Sequence, residues 1–165
     1  MSNRLDLLTA LTAHLQGITP ANGYTNDLST SVFRGRQYFG TESPVPLVAI
    51  NENPDDAESD HGRNTNKSRI DKWSLVVQGW VDSDSHQDNP TDPAYEMADE
   101  VERHLFRMIT QIGPNPTHPE SFKLGRKNIV SDIIINAPKV SGPDANLSSV
   151  SFFYIIVDFH ILRTN

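Results

Sequence analysis

The stretch that most constrains this chain runs from Lys72 to Leu105, KWSLVVQGWVDSDSHQDNPTDPAYEMADEVERHL. It opens in alternation, with Trp73, Leu75, Val77, Gly79 and Val81 on one side and Ser74, Val76, Gln78, Trp80 and Asp82 on the other. A period of two, rich in β-branched and aromatic residues, is the signature of a strand. One apolar side and one mixed side predict a central strand with a covered and a half-covered face. The chain turns polar over Asp82–Asn89, and Asp92-Pro93 predicts a helix start. The Asp92 carboxylate suits the N-cap, and Pro93 suits the first helical position, where its missing N–H costs nothing. From there Ala94, Met97, Val101, Leu105, Met108 and Ile112 recur on one helical stripe.

The flanking segments supply what must cover this unit. Residues 3–16 read as a helix, with Leu8, Leu11, Leu15 and Ile18 on one face, Asn3 as its cap, and Gly17 and Pro20 ending it. Thr19–Ser31 is turn-rich. Val32–Arg36 and Pro46–Asn51 are strand candidates. Gly113–Gly125 is a linker rich in proline. Lys127–Ala137 is a further strand, with Ile129, Ser131, Ile133 and Ile135 expected to face the core and Val130, Asp132, Ile134 and Asn136 to oppose them. After a turn over Ser141–Ser148 comes the most apolar strand, Ser149–Arg163. Phe153, Ile155, Val157, Phe159 and Ile161 line one side of it, and Phe152, Tyr154, Ile156, Asp158, His160 and Leu162 the other. The last two strands are expected to form an antiparallel hairpin.

Residues 53–68 hold a single alanine and no other apolar side chain. Such a segment cannot bury enough surface to offset its ordering entropy. It reads as a long polar hairpin loop, either simply solvated or an arm that orders on a partner. The fold class is therefore α+β: one domain over residues 1–165, with an antiparallel or mixed sheet of about four to five strands, two main helices packed on one face, and the long hairpin loop. The sheet's other face then carries Val76, Trp80, Phe152, Tyr154, Ile156 and Leu162, too apolar to remain wet in a lone chain. Self-association through this surface or a neighbouring edge is expected.

Composition excludes several function classes. There is no cysteine, hence no disulfide framework and no thiolate metal site. No apolar run reaches the length of a membrane span. MSNRLDLL has no secretory pattern, which points to synthesis in a cytoplasm. The net charge of -7 and scattered cations, densest at Lys123, Arg126 and Lys127, disfavour a nucleic-acid groove. Asp82, Asp84 and Asp88 begin like a calcium loop, but Gln87 stands at its glycine position and Pro93 at its final glutamate. His118-Pro119-Glu120 lacks the cysteines that a zinc deaminase needs. No two histidines are spaced i, i+4 for a helix-borne zinc site. Asp99, Glu100 and Glu102 read as a solvated helix face, and His160 as a structural histidine. Asp132 and Asp158 are the best buried-acid candidates, without a matching nucleophile or base. The chain therefore reads as neither an enzyme nor a cofactor or metal binder.

The opening helix followed by GITPANGYTNDL, then VFRGRQYFG, PLVAINENP, KWSLVVQGWVDSD, DNPTDPAYEMADEV and the closing strand pair, taken in this order, resemble the tail terminator (tail-completion) proteins of long-tailed bacteriophages. The resemblance spans Leu5 to Leu162. It implies a sheet flanked by helices and a homohexameric ring in the virion, at the tail–neck junction, assembled in the host cytoplasm. Such a ring caps the growing tail tube, stops its polymerisation and offers a docking surface to the head connector. Its partners would be the major tail tube protein and a neck protein, with genomic DNA passing through the lumen unbound. An acidic lumen would suit that passage. Related neck, head-closure and minor tail proteins share the architecture and remain open, as does a small ligand-binding or enzymatic domain. The interaction candidates are Trp80, Tyr154 and Phe152 on the sheet, and Asp55, Asp56, Glu58, Asp60, Arg63 and Lys67 in the polar loop.

Overall fold

The computed structural model describes residues 2–37, 39, 42–54, 70–143 and 149–162. Two helices, α1 (Asn3–Leu15) and α2 (Asp92–Phe106), lie over one face of a mixed sheet. The strands are β1 (Val32–Arg34), β2 (Leu47–Glu52), β3 (Ile70–Asp82), β6 (Val130–Ile135), β7 (Lys139–Ser141) and β8 (Val150–Leu162). Their order is β1-β2-β3-β8-β6, with β7 also on β8. A separate two-stranded hairpin joins β4 (Gln111–Ile112) to β5 (Asn115–Pro116). The α+β class, the mixed sheet and the single helical layer agree with the sequence; the main sheet has six strands, because β7 forms where the sequence reads only as a turn approach.

The alternation in β3 and β8 decides the architecture. The two strands pair antiparallel over their whole length, from Ile70 opposite Leu162 to Asp82 opposite Val150. Directly opposed residues point to the same face. Trp73 thus joins Phe159, Leu75 joins Val157 and Val77 joins Ile155 on the inner face, all buried. Onto this face α1 sets Leu7, Leu11 and Leu15, and α2 sets Ala94, Met97, Ala98, Val101 and Leu105. Residues 53–69 connect the antiparallel pair β2–β3, as expected for a hairpin. The interaction candidates Asp55, Asp56, Glu58, Asp60, Arg63 and Lys67 lie outside the described residues, as does the arm expected over 53–68 beyond Pro54.

Several local expectations are corrected. Ser2, not Asn3, caps α1: its hydroxyl accepts from the Leu5 N–H, and Asn3 is the first helical residue. In α2, Thr91 occupies the cap position without a side-chain bond, which puts Asp92 first in the helix and Pro93 second. The chain leaves the helix after Phe106, so Ile112 falls in the β4–β5 hairpin, 73% exposed, rather than on the helical stripe. In β6 a bulge between Val130 and Asp132 shifts the alternation by one residue. Val130 and Ile133 are therefore the buried pair, while Ser131 is only half-buried and Ile134 is exposed on the outer face.

Gly79 shows why a side chain is missing from the centre of β3. A Cβ there would lie 2.3 Å from Cε1 of Phe153, the fully buried ring opposite it. Gly79→Ala forces that ring out of the core and should destabilise the protein by about 1–3 kcal/mol, the ordinary cost of overpacking. A urea titration checks this; an unchanged midpoint would mean that the ring has room to move.

Candidate functional site: the outer face of the sheet

Among the described residues no helix covers the side of the sheet opposite the core. Its central columns are Trp80 beside Phe152, Gln78 beside Tyr154, Val76 beside Ile156 and Ser74 beside Asp158. Lys139 and Ser141 of β7 extend the Tyr154 and Phe152 rows, and Ile134 of β6 extends the Asp158 row. Val76, Trp80, Phe152, Tyr154, Ile156 and Leu162 are all half-buried, and Ile134 is 44% exposed. The structure thus brings together the three sheet candidates, Trp80, Phe152 and Tyr154, as neighbours on one surface.

One corner of this face is sheltered, which the strand pattern alone does not reveal. Phe39, from the β1–β2 connection, packs against Trp80 with ring centroids 4.6 Å apart and planes tilted by 50°, and lies 6.1 Å from Phe33. The Arg36 guanidinium sits 4.8 Å from both phenylalanine rings. Beneath this cluster Leu47 and Ala49 are fully buried although they point outward. The open part is accordingly the β3–β8–β7 region, with Lys139 lying 5.7 Å from the Tyr154 ring.

Lower on the face, Asp158 is buried as expected and is fully engaged. The Ser74 hydroxyl donates to it, and the Lys72 ammonium lies 3.6 Å away. Asp132 is exposed, which corrects its standing as a buried acid: its carboxylate accepts from the Ile133 N–H at 2.9 Å. His160 lies half-buried between Lys72 and Asp132. Among the described residues no cluster of histidine and carboxylate side chains is able to hold a metal.

The polar chemistry of the core lies on the helix side and holds structure together. His14 and His104 stack at 4.1 Å. His14 Nε2 meets the His104 carbonyl at 2.8 Å, and His104 Nε2 meets the His14 carbonyl at 2.7 Å. Carbonyls only accept, so both rings carry their proton on Nε2, and His104 Nδ1 accepts from the Tyr24 hydroxyl at 2.7 Å. Glu100, read from sequence as part of a solvated face, is 9% exposed. It accepts from the Thr25 N–H at 2.5 Å and from the Asn26 backbone and side chain. Burial alone would raise its pKa, but these hydrogen bonds outweigh it and hold the carboxyl below its ordinary value. Together these groups pin residues 24–26 to α2. Arg126 similarly ties itself to Asp6 of α1, with Nε 2.5 Å from the carboxylate, lowering the Asp6 pKa.

No protein-family model matches the chain, and no curated protein sequence matches it.

The histidine pair makes stability pH-dependent. Burial, and then the charge that His104 would carry, push His14 down to about 4, with Arg107 and His118 acting the same way against the help of the His104 carbonyl. Burial comes first for His104 as well, and its pKa is also lowered. With the folded pKa below the unfolded 6.5, the unfolded chain takes up protons that the folded one refuses. The contribution is complete above 6.5 and is lost as pH falls from there towards about 4. For His14 it amounts to about 3 kcal/mol. Urea midpoints at pH 7 and pH 5 should drop accordingly in the wild type and much less in His14→Gln; an equal drop in both would place the acid sensitivity elsewhere.

Proposed function

We propose that this protein is a structural, non-enzymatic subunit that works by assembling with its own copies into a ring, and that the ring caps a phage tail tube, ending tail polymerisation and receiving the head or neck connector. The observation that carries the assembling part is the unroofed face of β3 and β8. A two-layer α+β unit leaves one side of its sheet without a helical cover, and here that side holds Trp80, Phe152, Tyr154, Ile156 and Ile134. Apolar area of this kind on a monomer marks an interface. The tail-terminator part rests on the ordered resemblance described above. It places the ring in the virion, at the tail–neck junction, with the major tail tube protein on one side and a connector on the other. The net charge of -7 supports a lumen through which DNA passes without adhering.

Native mass spectrometry and light scattering test the reading directly. A hexamer is expected, either free at high concentration or on the ends of purified tail tubes. A chain that stays monomeric and also ignores the tubes would overturn it. Tyr154→Glu and Ile134→Glu should each weaken association at least about tenfold, some 1.4 kcal/mol. Their melting temperatures should stay near wild type, since neither side chain belongs to the inner core. Undisturbed assembly in both variants would remove this face from the contact.

A further inference from the structure

The outer sheet face needs an occupant, and the chain itself presents one on its opposite side. Along α2, Tyr95, Asp99, Glu102 and Phe106 follow one another at i, i+4, i+7 and i+11, which places them on a single stripe of the helix. The stripe points away from the core, whose side of α2 is taken by Ala94, Met97, Ala98, Val101 and Leu105. Tyr95 is 57% and Phe106 41% exposed, and Asp99 is exposed between them. This is an aromatic–acid–acid–aromatic ridge. Arg103 and Arg107, which line a cleft together with Asp99, Glu102 and Phe106, lie over the Tyr24 ring at 5.0 and 5.8 Å.

We infer that the Tyr95–Asp99–Glu102–Phe106 ridge of one copy seats on the open face around Phe152 and Tyr154 of the next, with Lys139 answering the two carboxylates. The inference rests on the assembling role proposed above. Charge complementarity favours it: the open face carries an exposed cation, Lys139 of β7, beside the Tyr154 ring, and the ridge carries two acids flanked by rings. Amphipathic helices recognise apolar surfaces in this manner, by anchors at helical spacing. Layer logic favours it too. A bare sheet face is stably closed by a helix, and a neighbour's helix supplies in trans a third layer that the described residues do not form. Because ridge and face lie on opposite sides of the two-layer unit, the contact is heterologous, head to tail. Such a contact closes into a ring when the rotation per copy divides the circle. Pairing two bare faces about a two-fold axis would instead stop at a dimer and leave both ridges exposed.

The absence of cysteine makes the test clean. Tyr95→Cys and Lys139→Cys are prepared as single variants, checked for an unchanged melting temperature, and treated with a short bismaleimide. Mixed together under assembling conditions they should give a cross-linked dimer holding one of each, while either alone gives little. The double variant should give a ladder of higher species. As a second arm, Lys139→Glu should weaken association at least tenfold, and Asp99→Lys added to it should restore much of the loss. Efficient cross-linking of Lys139→Cys with itself would establish face-to-face pairing and overturn the inference. So would a mixture that assembles by light scattering yet does not cross-link. A wild-type chain that never assembles, alone or on tail tubes, removes the assembling role itself, an outcome that light scattering separates from the other two.

Discussion

Everything in this molecule hangs on the pairing of β3 with β8. The two strands run side by side for their full length and form the centre of the sheet. Because side chains alternate, this one register places Trp73, Leu75, Val77, Phe153, Ile155, Val157 and Phe159 against the helices and consigns Val76, Trp80, Phe152, Tyr154 and Ile156 to the other side. A slip by one residue would exchange the two sets. Gly79 guards the register from within, because the Phe153 ring occupies the space a side chain would need. The apolar outer face is thus a direct consequence of forming the core: two long strands of this composition cannot bury both faces beneath one helical layer.

The helical layer packs on the sheet through its apolar side chains and is oriented by polar contacts. α1 and α2 meet through the reciprocal His14–His104 bonds, with the Tyr24 hydroxyl closing the set. Glu100 holds the backbone of residues 25 and 26, and Asp6–Arg126 fastens the other end of α1. Each buried partner is satisfied, which is what makes such networks specify one arrangement of elements. With the helices fixed on one side, the opposite side has nothing in the described chain to cover it beyond the Phe39 corner.

Much of this was legible in the residues and some was not. Alternation gave β3 and β8 with both faces correct, because a long strand of period two admits only one reading. The helical stripe of α2 was legible from Ala94 to Leu105; Met108 is buried from the turn beyond the helix, and Ile112 falls in the exposed hairpin after it. Parity in β6 was lost because a bulge adds a residue without any composition cue. Glu100 and the histidine pair were missed for a common reason: their partners are backbone groups far along the chain, and no spacing rule reports a carbonyl. Trp80, Phe152 and Tyr154 were found together because register alone makes them neighbours. The acidic and basic candidates between Asp55 and Lys67 carried no such geometric constraint, only composition.

The central claim is that the outer sheet face is sheltered by further copies of the chain. Trp80, half-buried beside the Phe39 corner, borders the open part of that face, while Trp73 is buried in the core. In a Trp73→Phe variant, fluorescence quenching by acrylamide would follow Trp80 alone as protein concentration rises or tail tubes are added. The account predicts that quenching falls and emission shifts to the blue in step with assembly. Trp80 remaining as quenchable in the assembled protein as in the monomer would contradict it.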